Sequence, residues 1–136
     1  MAVHIPKEAS GGFINNQKET WKFKFDKLMH NSSQEDIFEF CAQDIVKSVV
    51  NGFNGTIMCY GQTGAGKTFT MNGSTPNFKY RGIIPRSIHQ VFEEIGSHYD
   101  NQFTVSVSYL EIYNEQMFDL LSDHPRDPSG GSGISI

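Results

Sequence analysis

Apolar residues at every second position mark the first patterned stretch of the chain. Trp21, Phe23 and Phe25 alternate with Lys22, Lys24 and Asp26. Period two predicts a half-exposed strand, with the rings inward and the lysines in water. Helical spacing follows. Ile37, Phe38, Cys41, Ile45, Val46 and Val49 form one apolar stripe of a helix over 34–51. Ser32 is its predicted cap, with Glu35 as capping-box partner, and Asn51-Gly52 suits its end. Thr56-Ile57-Met58-Cys59-Tyr60 does not alternate, as in a strand covered on both faces. Pro85 suits the first turn of a later helix. Its Ile88, Val91, Phe92 and Ile95 share one face, and Gly96 ends it. Phe103, Val105, Val107 and Tyr109 then alternate with Thr104, Ser106, Ser108 and Leu110, which predicts a long strand running on toward Tyr113. The type of the short apolar segment 116–121 stays open. Residues 1–19 read as a flexible N-terminal segment, and 122–136 as a flexible Pro/Gly/Ser-rich tail. The order strand, helix, strand, loop, helix, helix, strand predicts an α/β fold.

Composition narrows the function classes. The 136 residues, 38% of them hydrophobic, can build a core and amount to one domain or a piece of one. No apolar run approaches the roughly 18 residues that would span a membrane. The first ten residues lack the pattern of a secretory signal. A net charge of −4 argues against nucleic acid or an acidic membrane as partner. Cys41 and Cys59 make neither a disulfide framework nor a metal-ligand spacing, so a reducing intracellular compartment is expected. The N-x-S/T triplets at Asn31, Asn54 and Asn72 read as chance matches.

Gly61-Gln62-Thr63-Gly64-Ala65-Gly66-Lys67-Thr68 satisfies G-x-x-x-x-G-K-[ST]. The glycines let the backbone approach phosphate oxygens. Successive N–H groups then form an anion nest, backed by the start of a helix near Lys67. Lys67 supplies a mobile cation for the β- and γ-phosphates, and the Thr68 hydroxyl is a ligand for Mg²⁺. A chance match in a chain this long is on the order of one in a hundred. Spacing alone therefore predicts a nucleoside triphosphate with Mg²⁺. Hydrolysis also needs a metal-positioning Asp at a strand end and a group that orients water. Asp26 and Asp119 are the candidates for the first, and both fit a structural place better.

These residues carry a resemblance. The run Phe53-Asn54-Gly55-Thr56-Ile57-Met58-Cys59-Tyr60, continued through the loop to Phe69-Thr70-Met71, resembles the nucleotide-loop signature of kinesin motor domains. Arg81-Gly82-Ile83-Ile84-Pro85-Arg86 and Val107-Ser108-Tyr109-Leu110-Glu111-Ile112-Tyr113-Asn114-Glu115 resemble two further stretches of that family. The likeness covers residues 20–121, as a partial motor domain, and Ile57-Met58-Cys59 is most similar to the kinesin nine subfamily of motile cilia. It implies a P-loop NTPase-type α/β fold, with a mixed central sheet flanked by helices, here incomplete. It implies a microtubule-dependent ATPase that binds ATP or ADP with Mg²⁺, placed on the cytoskeleton in the cytoplasm, with the ciliary axoneme as the subfamily's place. Residues 61–68 would cradle the phosphates. Lys67 and Thr68 would serve catalysis, Thr68 would hold the metal, and Phe69 would pack on the adenine. A core-facing place on the helix is the other reading of Phe69. Tyr109, Glu111 and Tyr113 read as structural.

The departures from the family matter equally. No Arg-x-Arg-Pro adenine clamp precedes Trp21. Neither the Asn-x-x-Ser-Ser-Arg-Ser-His switch nor the Asp-Leu-Ala-Gly-Ser-Glu switch occurs. Whether the chain is an enzyme by itself is therefore open, and loss of catalysis is the expectation. So is a marginal, self-associating chain with open apolar edges. Lys79, Arg81 and Arg86 form the one small basic cluster, read either as a contact for an acidic surface or as solvated charge. The other function class is a non-motor product that binds nucleotide or a partner. An unrelated small-molecule kinase lacks a visible second substrate site.

Overall fold

A computed structural model describes residues 1–6, 19–74 and 76–123. They fall into two compact units, the first ending at Ser97 and the second starting at His98. Two short strands come first, then the helices, then two more strands, in an α/β chain. Among the described residues the sheets are two separate antiparallel pairs of strands.

The first unit opens with a ribbon that the residue pattern only half predicts. β1 (Ala2–His4) pairs with β2 (Thr20–Lys22), Val3 opposite Trp21. The chain start is thus a strand where a loop was expected, and most of the remaining N-terminal segment, 7–18, lies outside the described residues. The expected strand over 21–26 is regular only to Lys22. Trp21, Phe23 and Phe25 are all exposed rather than inward. Phe23 and Phe25 stack on each other, with ring centroids 6.3 Å apart.

Next come α1 (Gln34–Cys41) and α2 (Gln43–Val50). The cap is Ser33, one residue later than expected. Its hydroxyl accepts from Asp36 N–H at 3.1 Å, and Asp36 Oδ2 accepts from Ser33 N–H at 2.9 Å. Both registers offer a serine and an acid at the right spacing. The observed one buries Gln34 and Phe38 together. The single helix expected over 34–51 is two helices joined at Ala42, whose φ and ψ are −128° and −35°. The ladder still crosses it, Ala42 N–H to Phe38 O and Val46 N–H to Ala42 O at 2.9 Å each. Ala42, 1% exposed, lies in the core with Phe38 and Ile83. At the far end the Asn51 amide donates to Lys47 O at 2.9 Å, and Gly52 turns the chain at φ 92°.

Residues 56–60 have no strand partner among the described residues. Ile57 packs on the core, whereas Met58 and Tyr60 are 83% and 98% exposed. One face of this segment is covered, not two. After it come α3 (Lys67–Met71), a 3-10 turn (Phe78–Tyr80) and α4 (Ile83–Ser97). Pro85 lies in the first turn of α4 as expected, and the helix runs through Gly96. Its buried face is rotated from the expected stripe, of which Val91 and Ile95 are half-buried. Ile83, Arg86 and Gln90 point inward, while Ile88 and Phe92 are exposed. Gln90 Nε2 donates to Gln43 O at 3.2 Å, tying α4 to α2.

Arg86 explains the rotation. It is 8% exposed, so it is not part of a surface basic cluster. Its guanidinium donates to Arg81 O at 2.9 Å, Phe78 O at 3.3 Å and Lys79 O at 3.4 Å. The loop it grips closes at its base. Gly82 N–H donates to Asn72 O at 3.1 Å and Ser74 N–H to Tyr80 O at 2.8 Å. A Cβ on Gly73 (φ 74°) would collide with the backbone of Tyr80 and Gly82, so glycine is needed there.

In the second unit the long strand expected from Phe103 is regular only as β3 (Leu110–Tyr113). The undecided segment 116–121 supplies β4 (Gln116–Asp119). Tyr113 pairs with Gln116, and Asn114 and Glu115 turn the hairpin at φ 51° and 63°, the signs a two-residue primed turn requires.

Three outcomes follow from the capping box and the exposed faces. Ser33→Ala should cost about 1 kcal/mol of stability, read by chemical unfolding. The Asp36 carboxyl is held below its usual range, chiefly by the Ser33 hydroxyl and then by the Ser33 amide. A folded value below the unfolded one means that the cap contributes fully above about pH 4 and fades as pH falls further. Asp36→Asn should therefore flatten the acid limb of the stability curve. Separately, the chain should self-associate as concentration rises in sedimentation velocity. A monomer throughout, with one sharp unfolding transition, would contradict the open apolar faces at Met58 and Tyr60.

Candidate functional site: the glycine loop before α3

The site is built from the end of segment 56–60, the loop 61–66 and α3. Ile57 and Met71 both pack against the Phe38–Ala42–Ile83 core, which fixes the two ends of the loop on one hydrophobic support. Ala65 N–H donates to Gln62 O at 3.1 Å and makes a turn at the loop's middle. Gly64 and Gly66 have φ of 80° and 92°. A Cβ on either would meet nothing within 4 Å. These two glycines are needed for backbone conformation, and they leave open space above the loop.

Gly66 is the N-cap of α3 and has no side chain to offer. The first amides of the helix therefore lack a side-chain acceptor of the ordinary kind. Lys67 folds back over the loop. Its ammonium donates to Gly61 O and Gln62 O, both at 2.8 Å. Gln62, Thr63, Gly64, Ala65 and Thr68 are exposed, and Gly61, Gly66 and Lys67 are half-buried. The arrangement suits a polyanion. It presents a mobile cation, a concave stretch of backbone and a hydroxyl on the same short segment.

Phe69 is 53% exposed, so its ring is not a core residue of the described structure. Its carbonyl accepts from Gln34 Nε2 at 2.7 Å. Gln34 is the residue here that pattern reading passed over. Its only signal was a polar residue at the first position of an otherwise amphipathic helix. The two aspartates considered for metal positioning have local settings of their own. Asp119 Oδ1 accepts from Leu121 N–H at 2.9 Å, a turn contact in the second unit. Asp26 lies in the irregular stretch after β2. Among the described residues no group of three or more His, Cys, Asp or Glu side chains could hold a metal ion. No helix among them is long and apolar enough to cross a membrane.

An extended segment, a glycine loop and a helix opening on Lys-Thr define the P-loop class of proteins. Comparison with known proteins narrows this further. The profile of the kinesin motor domain matches residues 4–131, a wider span than the 20–121 read from the motifs. The chain belongs to the kinesin motor domain family. It is 54% identical over 123 residues to the mouse kinesin-like protein KIF9, covering 90% of this chain and 16% of that protein. Among solved structures, a fast kinesin superposes with a TM-score of 0.72 at 45% identity, over 76% of this chain and 30% of the other. The Drosophila family member Kin10/NOD, in complex with divalent manganese and ADP, superposes with a TM-score of 0.64 at 33% identity, over 72% and 36%. The chain thus spans about a sixth of the mouse relative's length.

Gly66→Ala tests the loop's backbone. The added methyl meets no neighbour, so the loss is conformational, about 1–2 kcal/mol for a left-handed residue with a Cβ. Thermal unfolding should show that loss, with the α1–α2–α4 helices still the most protected segments of the first unit by hydrogen exchange.

Proposed function

We propose that this chain is the ATP-binding part of a microtubule-based motor, and that by itself it binds the Mg²⁺ nucleotide without turning it over. The observation that carries the reading is the loop at residues 61–68, with the Lys67 ammonium on its carbonyls, in a chain of the kinesin motor domain family. The backbone of Gly61, Gln62, Thr63, Gly64, Ala65 and Gly66 would surround the phosphates. Lys67 would move from the Gly61 and Gln62 carbonyls to the β- and γ-phosphate oxygens. The Thr68 hydroxyl would bind Mg²⁺, and the exposed ring of Phe69 would lie against the adenine. The nucleotide and divalent metal are supported by the manganese and ADP of the NOD structure. The ATPase and microtubule parts are supported by the fast kinesin, whose structure bears on ATPase mechanism and interactions with microtubules. In the complete motor, coupling of hydrolysis to movement would need the two switch segments that this sequence lacks. The proposed place is the cytoskeleton of the cytoplasm. The likeness of Ile57-Met58-Cys59 to the kinesin nine subfamily extends it to the axoneme of motile cilia.

Nucleotide binding and steady-state turnover, each with and without microtubules, test this with Lys67→Ala as control. Mg²⁺-ATP should bind to the unsubstituted chain. Lys67→Ala should weaken that binding about tenfold to a hundredfold, the effect of losing charge-assisted hydrogen bonds. Turnover should not exceed the Lys67→Ala background. Microtubule-stimulated turnover would show that the missing switches are dispensable or replaced. Absence of nucleotide binding would remove the reading altogether.

A further inference from the structure

We propose that Gln34 is a positioning residue for the base end of the nucleotide, acting through the backbone of Phe69. This rests on the nucleotide reading of residues 61–69. Gln34 opens α1, 35 residues before Phe69 in the sequence, and is 6% exposed. Its Nε2 donates to Phe69 O at 2.7 Å. A carbonyl can only accept, so the amide's orientation is set by this contact.

The shortness of α3 creates the need. Asn72 N–H and Gly73 N–H both donate to Thr68 O, at 2.8 and 3.3 Å. The ladder ends there, and the next carbonyl in line, that of Phe69, is taken by the glutamine instead. The last residue with a proposed ligand contact is thereby fixed to α1 and not only to its own loop. The Phe69 side chain is more than half exposed, so little packing holds its ring. The direction of its Cα–Cβ bond, and with it the ring's reach, depends on the held backbone.

Part of the glutamine's role is structural, because its donor end pairs the Phe69 carbonyl at the end of α3. The test therefore has to separate a loss confined to the base from a general loosening of the loop.

Gln34→Met keeps length, removes the Oε1 acceptor, and takes the donor away from the Phe69 carbonyl. Gln34→Glu keeps the shape and replaces the donor by an acceptor. In each variant of the full chain, Mg²⁺-ATP and inorganic tripolyphosphate are titrated by calorimetry, alone and in a Phe69→Ala background. ATP should bind about fivefold to tenfold more weakly, the size of one lost hydrogen bond. Tripolyphosphate should stay within about twofold, since it has no base to position. With Phe69→Ala present, the Gln34 substitutions should have no further effect on ATP. The melting temperature of Gln34→Met should fall by no more than one lost hydrogen bond accounts for, with tripolyphosphate binding kept. Equal weakening of both ligands, an unchanged ATP affinity, or full additivity with Phe69→Ala would overturn the proposal and leave the nucleotide site standing. An unsubstituted chain that binds neither ligand would overturn both.

Discussion

One buried cation holds the region around the glycine loop in place. Arg86 has no carboxylate partner among the described residues, and its charge is met by three carbonyls of the loop it closes. A guanidinium suits this, because its planar fork can reach several acceptors at once and stays charged. The Phe78 ring lies 5.2 Å below the same group. Through the Gly73–Arg81 bridge, the closed loop sets where α3 ends and where α4 begins. The core of Phe38, Ala42 and Ile83 is small, so this polar closure carries a large share of the local order.

The residues that were easiest to read from sequence were those whose chemistry is local. The loop 61–68 is a contiguous string, and its glycines and Lys-Thr pair need no partner from elsewhere to be recognised. The same is true of Asn51-Gly52 and of Pro85. Ser33 was missed by one position because Ser32-Glu35 and Ser33-Asp36 are equivalent as strings. Burial of Gln34 and Phe38 decides between them, and that is a tertiary fact. α4 is the clearest failure of pattern. Its apolar stripe at Ile88 and Phe92 is exposed, and its buried face carries Arg86 and Gln90 because carbonyls of the loop and of Gln43 await them there. Periodicity counts hydrophobicity and cannot see acceptors.

Segment 56–60 shows the other kind of mismatch. Its composition is that of a strand covered on both faces, yet only the Ile57 side is packed in the described structure. A run of residues records the environment of the whole fold to which it belongs. Membership of the kinesin motor domain family, over about a sixth of the mouse relative's length, accounts for a sequence that promises more sheet than two short ribbons. The hairpin of β3 and β4 depends less on such context, because its turn at Asn114-Glu115 is specified within four residues.

The posture of Lys67 has a consequence for discrimination among anions. Its ammonium already has two carbonyl acceptors at 2.8 Å. Any anion entering the loop must offer more than those two bonds before the lysine will turn toward it. On the proposed reading, a chain of linked phosphates would meet the ammonium and the loop amides together. The resting contact would then act as a threshold that a weaker anion has to exceed.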